Sequence, residues 1–356
     1  IQDRLIDTGG WVNQEGCSCF NLYRPPTVEL GDAAEAGPWK DHLLKVYPND
    51  ANHIIYWLAH RVQKPSEKLN HALVLGGRHG IGKDTILEPV KYAVGPWNCH
   101  EVSPAAMLGR FNSFVKSVIL RVSEARDLGD LDRFAFYDHT KTLIAAPPDV
   151  IRVDEKHIRE YPVPNVCGVI ITTNHKSDGL YLPADDRRHY VAWSDLDKDE
   201  FPINYWNDLW GWYESGGIGH VAAYLGWVDI SGFDPKAPPP KTEAFWHLVN
   251  AARPPEEAEM ADILESLYWP NAVTLAELKT QAAISHPEFA DWLGDRRNRR
   301  QIPYRLDSAG YESTNNPSAK DGLWVIEKKR QTVYTKTSLP INERLEAATK
   351  LSQRNR

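Results

Sequence analysis

A chain of 356 residues exceeds one typical domain, and 42% hydrophobic residues with 13 Trp suffice for roughly two or three packed cores. A formal net charge of -7 excludes a protein whose whole surface coats nucleic acid. Four cysteines, at 17, 19, 99 and 167, are too few and scattered for a disulfide framework, and no apolar run reaches membrane-spanning length.

Residues 1–40 are rich in Gly, Pro and polar residues and predict an irregular lead-in, with Phe20-Asn-Leu-Tyr-Arg-Pro-Pro26 extended. The first residue is Ile and not Met, which points to a fragment of a longer polypeptide or to a processed chain. Cys17-Ser-Cys19 lacks a second pair at ligand spacing, so free thiols in a reducing cytoplasm are expected. From Trp39 to Val62, apolar residues recur at helical spacing and predict two amphipathic helices broken at Pro48-Asn-Asp.

The chain is organised around His71-Ala-Leu-Val-Leu-Gly-Gly-Arg-His-Gly-Ile-Gly-Lys-Asp-Thr85, an apolar strand entering a glycine-rich turn and then a helix. Gly77, Gly80 and Gly82, with Ile81 between them, let backbone N–H groups converge on an anion in front of a helix N-terminus. The spacing Gly77-x-x-x-x-Gly82-Lys83 is the P-loop pattern, in which Lys83 reaches the β/γ-phosphates of ATP. The position that usually offers a hydroxyl to Mg²⁺ holds Asp84, with Thr85 one place later.

Val118-Ile-Leu-Arg-Val-Ser-Glu124 predicts the second strand of such a site, with Glu124 as the base that activates water. The usual Asp before that Glu is replaced by Ser123, so carboxylate and hydroxyl look exchanged between the two motifs. Asp84 and Ser123 would together complete the Mg²⁺ ligands beside Glu124, and Thr85 competes as the hydroxyl. Residues 126–149 read as helical up to Pro147-Pro148. Strands then follow at 150–153 and 166–172, with Lys156, His157 and Arg159 between them as either a phosphate-contacting hairpin tip or a solvated turn. Thr172-Thr-Asn174 ends a strand where Asn174 can hold a lytic water. Asp185-Asp-Arg187-Arg188 offers either an arginine finger or a surface charge cluster.

Pro235 to Pro240 marks a linker. Beyond it, helices at 256–268, Thr274–Gln281 and Phe289–Asp307, then a β-hairpin from Gly322 to Thr335, predict a winged-helix module. Arg296, Arg297, Arg299 and Arg300 sit on or before its third helix, and Lys328, Lys329 and Arg330 at the wing tip. Residues 290–336 hold ten Lys/Arg against six Asp/Glu, whereas the rest of the chain holds 31 against 42. A basic module on an acidic body suggests contact with a polyanion, although such a fold also serves protein contacts. The resulting division is 1–65 lead-in and helices, 66–230 α/β P-loop core, 231–255 linker, 256–337 winged helix and 338–356 tail.

The order of these motifs resembles the superfamily 3 helicases, in particular the helicase part of phage and plasmid primase-helicase proteins. The resemblance runs from about residue 20 to 337, with Ala237-Pro-Pro-Pro-Lys-Thr also similar. It implies an AAA+ ATPase core, a central sheet flanked by helices, assembled as a homo-hexameric ring around single-stranded or forked DNA in a bacterial host cytoplasm. A primase or polymerase would be fused or associated. Carried over, Lys83 is the Walker A lysine, Glu124 the Walker B glutamate, Asn174 sensor 1, and Arg187 or Arg188 the finger acting in trans. Lys156-His157 resembles the pair on the central DNA-gripping hairpin. Asp84 and Ser123 depart from the family pattern. A second reading is an initiator module that binds an origin or partner and uses ATP as an assembly switch without unwinding.

Overall fold

The computed structural model describes residues 9–14, 16–21, 23–123, 129–176, 180–251 and 255–354. Two compact units divide between Ala252 and Arg253.

The first unit begins with an antiparallel hairpin, β1 (Gly10–Gln14) and β2 (Cys17–Asn21), inside the stretch expected to be irregular. Helices α1 (Gly37–Val46) and α2 (Ala51–Gln63) follow on either side of Pro48, as the periodicity predicts. Then come β3 (Ala72–Gly77), α3 (Lys83–Val94), β4 (Cys99–Val102), the short α4 (Pro104–Met107), β5 (Ile119–Val122) and α5 (Gly129–Ile144). A hairpin of β6 (Val150–Glu155) and β7 (Ile158–Pro164) precedes β8 (Gly168–Thr173) and β9 (His189–Ser194). Helices α6 (Tyr205–Trp212), α7 (Ile218–Trp227) and α8 (Glu243–Ala251) close the unit.

Five strands form one parallel sheet in the order β4-β5-β8-β3-β9. The two-residue period of a strand sends alternate side chains into two cores. Leu73 and Leu75 of β3 join α1, α2, α3 and α7 on one face, while Ala72 and Val74 join α5, α8 and the β6–β7 hairpin on the other. Trp39 and Trp57 are fully buried in the first core, and truncating either to Ala would cost about 3–5 kcal/mol.

Pro89 lies inside α3, where it lacks the N–H that would reach the Thr85 carbonyl. The hydroxyl of Tyr213 donates to that carbonyl instead, at 2.9 Å. A residue from the α6–α7 turn thus completes the helix that starts at Lys83.

Two further sequence expectations change in this unit. The hairpin partner of β6 is β7, not the 166–172 strand, which belongs to the main sheet; Pro162 and Pro164 disguised β7, yet a two-stranded ribbon tolerates proline because its outer edge needs no N–H donor. Within the stretch expected to be linker, Thr242 caps α8 by accepting from the Phe245 N–H, and Phe245 and Leu248 are buried on the sheet.

The second unit contains α9 (Pro255–Ser266), β10 (Ala272–Thr274), α10 (Leu275–Ser285), α11 (Pro287–Gly294) and α12 (Ile302–Ser308). Strands β11 (Tyr311–Thr314), β12 (Trp324–Ile326), β13 (Lys329–Gln331) and β14 (Val333–Lys336) follow, then α13 (Ile341–Arg354). Thr274 caps α10 through a reciprocal box with Glu277. The helix expected over 289–307 is broken in two by the turn at 295–301. An antiparallel sheet runs β10-β14-β11, and β12 pairs with β13 alone. The tail is a docked helix, since Ala348 and Leu351 of α13 bury against Trp324, Ile326 and Val333.

Candidate functional site

The turn after β3 is built by its glycines. Gly77, Gly80 and Gly82 have φ of 146°, 79° and 85°, values that a Cβ disfavours. Space adds to strain: a Cβ on Gly82 would stand 2.5 Å from His42 Nε2 and 2.7 Å from the Trp206 ring, and one on Gly77 would stand 2.5 Å from the buried Ile81. With Gly82 as the left-handed cap, α3 starts at Lys83 and the free N–H groups of its first turn face the loop.

Lys83 turns back into this loop. Its Nζ donates to the carbonyls of Gly77 (2.7 Å) and Arg78 (2.8 Å) and to Asn174 Oδ1 (2.6 Å). Asn174 directly follows β8, the strand between β3 and β5, so the sheet order brings the two side chains together. Lys83 is only 8% exposed. Burial holds its ammonium down at about pKa 8, against the upward pull of Asp84 and with a downward push from Arg121.

Arg121 was not singled out in the sequence, although a lone charge inside the apolar run from Val118 to Val122 was its signal. It shares the face of β5 that carries Ile119, forms an ion pair with Asp84 and lies 3.7 Å from Glu101 of β4. Asp84 therefore has one oxygen engaged by a guanidinium, which the exchange of carboxylate and hydroxyl did not foresee. Asp84, Thr85 and Ser123 all line the same cleft, of about 670 Å³, as Lys83 and Asn174. Their oxygens are of the type Mg²⁺ takes. Among the described residues no group of three or more His, Cys, Asp or Glu could hold a metal. Glu124 lies outside the described residues.

Trp206 and Trp210 of α6 also line the cleft. His42 fixes the nearer ring: its Nε2 lies 3.1 Å from the Gly82 carbonyl, its Nδ1 2.9 Å from the Tyr205 hydroxyl, and its ring meets Trp206 edge-on at 5.6 Å. Burial lowers the His42 pKa, which keeps the imidazole neutral beside the loop.

Arg187 and Arg188 lie elsewhere. The N–H of Ala72, at the start of β3, donates to the Arg188 carbonyl at 2.8 Å, so both arginines sit a full strand length, roughly 20 Å, from the glycine turn. Neither reaches the cleft of its own chain. Among the described residues no ion pair joins them to Asp185 or Asp186. Asp186 instead accepts from the Arg188 and His189 backbone N–H groups, the His189 ring and the Tyr137 hydroxyl. Burial would raise its carboxyl, but those hydrogen bonds, led by His189, hold it at about pKa 2.

Lys156 and His157 form the two-residue tip of the β6–β7 hairpin, exposed, with His157 at φ 68°. Arg159 is exposed on β7, not at the tip. The hairpin is latched to the connection leading into β5. Asn112 Nδ2 donates to the Arg152 carbonyl (2.8 Å), Asn112 Oδ1 accepts from the Asp154 N–H (2.7 Å), and Arg110 pairs with Asp154 at 2.9 Å.

In the second unit, Arg296, Arg297, Arg299 and Arg300 occupy the turn between α11 and α12, with Arg297 bound back to Asp295 at 2.7 Å. Lys279, Arg296, Arg299 and Arg330 border a groove of about 580 Å³. Lys328 forms the β12–β13 tip with Glu327, both at positive φ, while Lys329 and Arg330 lie on β13 and Arg330 pairs with Asp321 at 3.0 Å.

Residues 75–188 match a family of unknown function, DUF5906. The DUF5906 stretch thus runs from the end of β3, through the glycine turn and the basic hairpin, to Arg188. No curated protein matches the chain. Among solved structures, the apo C-terminal region of NrS-1, residues 305–718, superposes with a TM-score of 0.66 at 16% identity, covering 94% of this chain and 84% of that one. An A-form apo structure of the same region gives 0.62 at 17% identity over the same shares. The likeness is one of fold. Among the described residues no helix is long and apolar enough to cross a membrane.

Proposed function

We propose that this chain is the motor of an ATP-driven DNA helicase of the AAA+ class, with ATP hydrolysed at the interfaces of a ring. The observation that carries the reading is Lys83, poised in a positive-φ glycine turn at a helix N-terminus and hydrogen-bonded to Asn174 just past the end of the neighbouring strand. A phosphate chain in that turn would replace the loop carbonyls as the partner of Lys83 and take the free N–H groups of α3. Asn174 would orient the attacking water, with Glu124 as its base. Thr85, Ser123 and the free oxygen of Asp84 would hold Mg²⁺, which supplies charge neutralisation at the phosphates when bound. The basic tip at Lys156-His157 would grip the backbone of single-stranded DNA. The second unit, in which four helices and two strands precede a β-hairpin that pairs apart from the three-stranded sheet, supports a winged-helix duplex-binding role for Arg296, Arg299, Lys328 and Lys329.

The test is ATP turnover and unwinding of a forked duplex by purified protein. Lys83→Ala should abolish both, by at least a hundredfold. Lys156→Ala with His157→Ala should abolish unwinding and leave DNA-independent ATP turnover within about twofold. Turnover that survives Lys83→Ala removes the motor; wild-type turnover with no unwinding favours the assembly-switch reading.

A further inference from the structure

The P-loop motif assigns only the phosphates, yet the cleft continues past Lys83 to two tryptophans one helical turn apart. Trp206 and Trp210 lie at i and i+4 on α6 and face the same space as the glycine turn. Trp206 is backed by Phe201, with ring centroids 4.8 Å apart, and by His42, and its ring sits against Gly82 closely enough to exclude any side chain there. Trp210 is braced on one edge by Tyr213, at 5.6 Å and 83°, yet remains 41% exposed. Tyr213 in turn holds the Thr85 carbonyl of α3, so the aromatic wall and the phosphate helix are parts of one rigid assembly. An indole left open at the mouth of a cleft that ends in a phosphate cradle presents a flat apolar face beside a charged anchor. That is the chemistry of a nucleoside polyphosphate.

We infer that Trp210, supported by Trp206, forms the base-stacking subsite of this cleft and takes the purine of the nucleotide whose phosphates are held at Lys83. A purine is favoured over a pyrimidine because its larger ring system covers more of the indole face. The inference rests on the phosphate reading of the Lys83 turn, and the experiment separates the two.

Titration calorimetry of the whole chain with Mg²⁺ should compare ATP with inorganic tripolyphosphate, in the wild type and in Trp210→Ala. The variant should lose about tenfold in affinity for ATP and less than twofold for tripolyphosphate, while Trp210→Phe restores most of the ATP affinity. Unchanged ATP affinity in Trp210→Ala overturns the subsite while leaving the phosphate site standing. Equal loss for both ligands also overturns it, since the residue would then act on the fold of the loop. A wild type that binds neither ligand overturns the phosphate site and the subsite together.

Discussion

The position of Lys83 decides how its charge responds to a ligand. Burial lowers its pKa to about 8 from an ordinary 10.5, so the folded state disfavours the ammonium. The sign for stability follows: the cost of holding this charge is fully present below about pH 8 and is relieved as pH rises towards 10.5. A bound triphosphate acts in the opposite direction, because an anion beside the ammonium raises its pKa. At pH 8.5 the free protein has Lys83 largely deprotonated, and ATP binding should draw on the order of one proton from buffer. At pH 6.5 Lys83 is already charged and that uptake should vanish. Calorimetry in two buffers of different ionisation enthalpy reads the difference directly, and equal proton counts at the two pH values would mean that Lys83 does not meet the phosphates. Arg121 belongs to the same balance. It pushes the Lys83 ammonium down while its own charge is paired with Asp84, which pulls the other way.

At the scale of elements, the β6–β7 hairpin is held by Asn112, whose side chain both donates to and accepts from its backbone. Asn112 lies in the connection that enters β5, and β5 carries Arg121 and leads to Ser123. Removing two hydrogen bonds of about 1 kcal/mol each should free the hairpin, so Asn112→Ala should speed amide exchange across residues 150–164 by on the order of tenfold. Nucleotide affinity should stay within twofold. Exchange at the wild-type rate would show that the Arg110–Asp154 and Lys116–Glu155 pairs suffice. These elements also show what the sequence can and cannot express. The glycine turn, α1, α2 and the Thr274 cap were legible because each depends on neighbours in sequence: a φ requirement, a 3.6-residue period, a side chain reaching three residues ahead. β7 was hidden, since its prolines are penalised by strand propensity but not by the outer edge of a ribbon. The Arg121–Asp84 pair, the Tyr213 bond to Thr85 and the Trp206–Gly82 contact span 37, 128 and 124 positions, and nothing local predicts them.

The parallel sheet separates chemistry along its strands. Lys83, Ser123 and Asn174 gather at the ends of β3, β5 and β8, while Arg187 and Arg188 stand at the beginning of β9, at the opposite end of the strands. A strand length of roughly 20 Å exceeds the reach of an arginine side chain, so these guanidiniums can serve a phosphate only in another copy of the chain. If they do, two inactive variants should complement each other. Lys83→Ala removes the cradle but keeps the arginine; Arg187→Ala with Arg188→Ala keeps the cradle but removes the finger. In an equal mixture that exchanges subunits, an interface is competent only when the cradle comes from the second variant and the arginine from the first. That holds for roughly a quarter of the interfaces in a randomly mixed ring. ATP turnover should therefore rise from near zero in each variant alone to roughly a quarter of the wild-type rate on mixing, if interfaces fire independently. Analytical ultracentrifugation with a non-hydrolysable ATP analogue establishes in parallel that the subunits associate. A mixture that associates yet stays as inactive as its components would confine Arg187 and Arg188 to their own chain and remove the shared site.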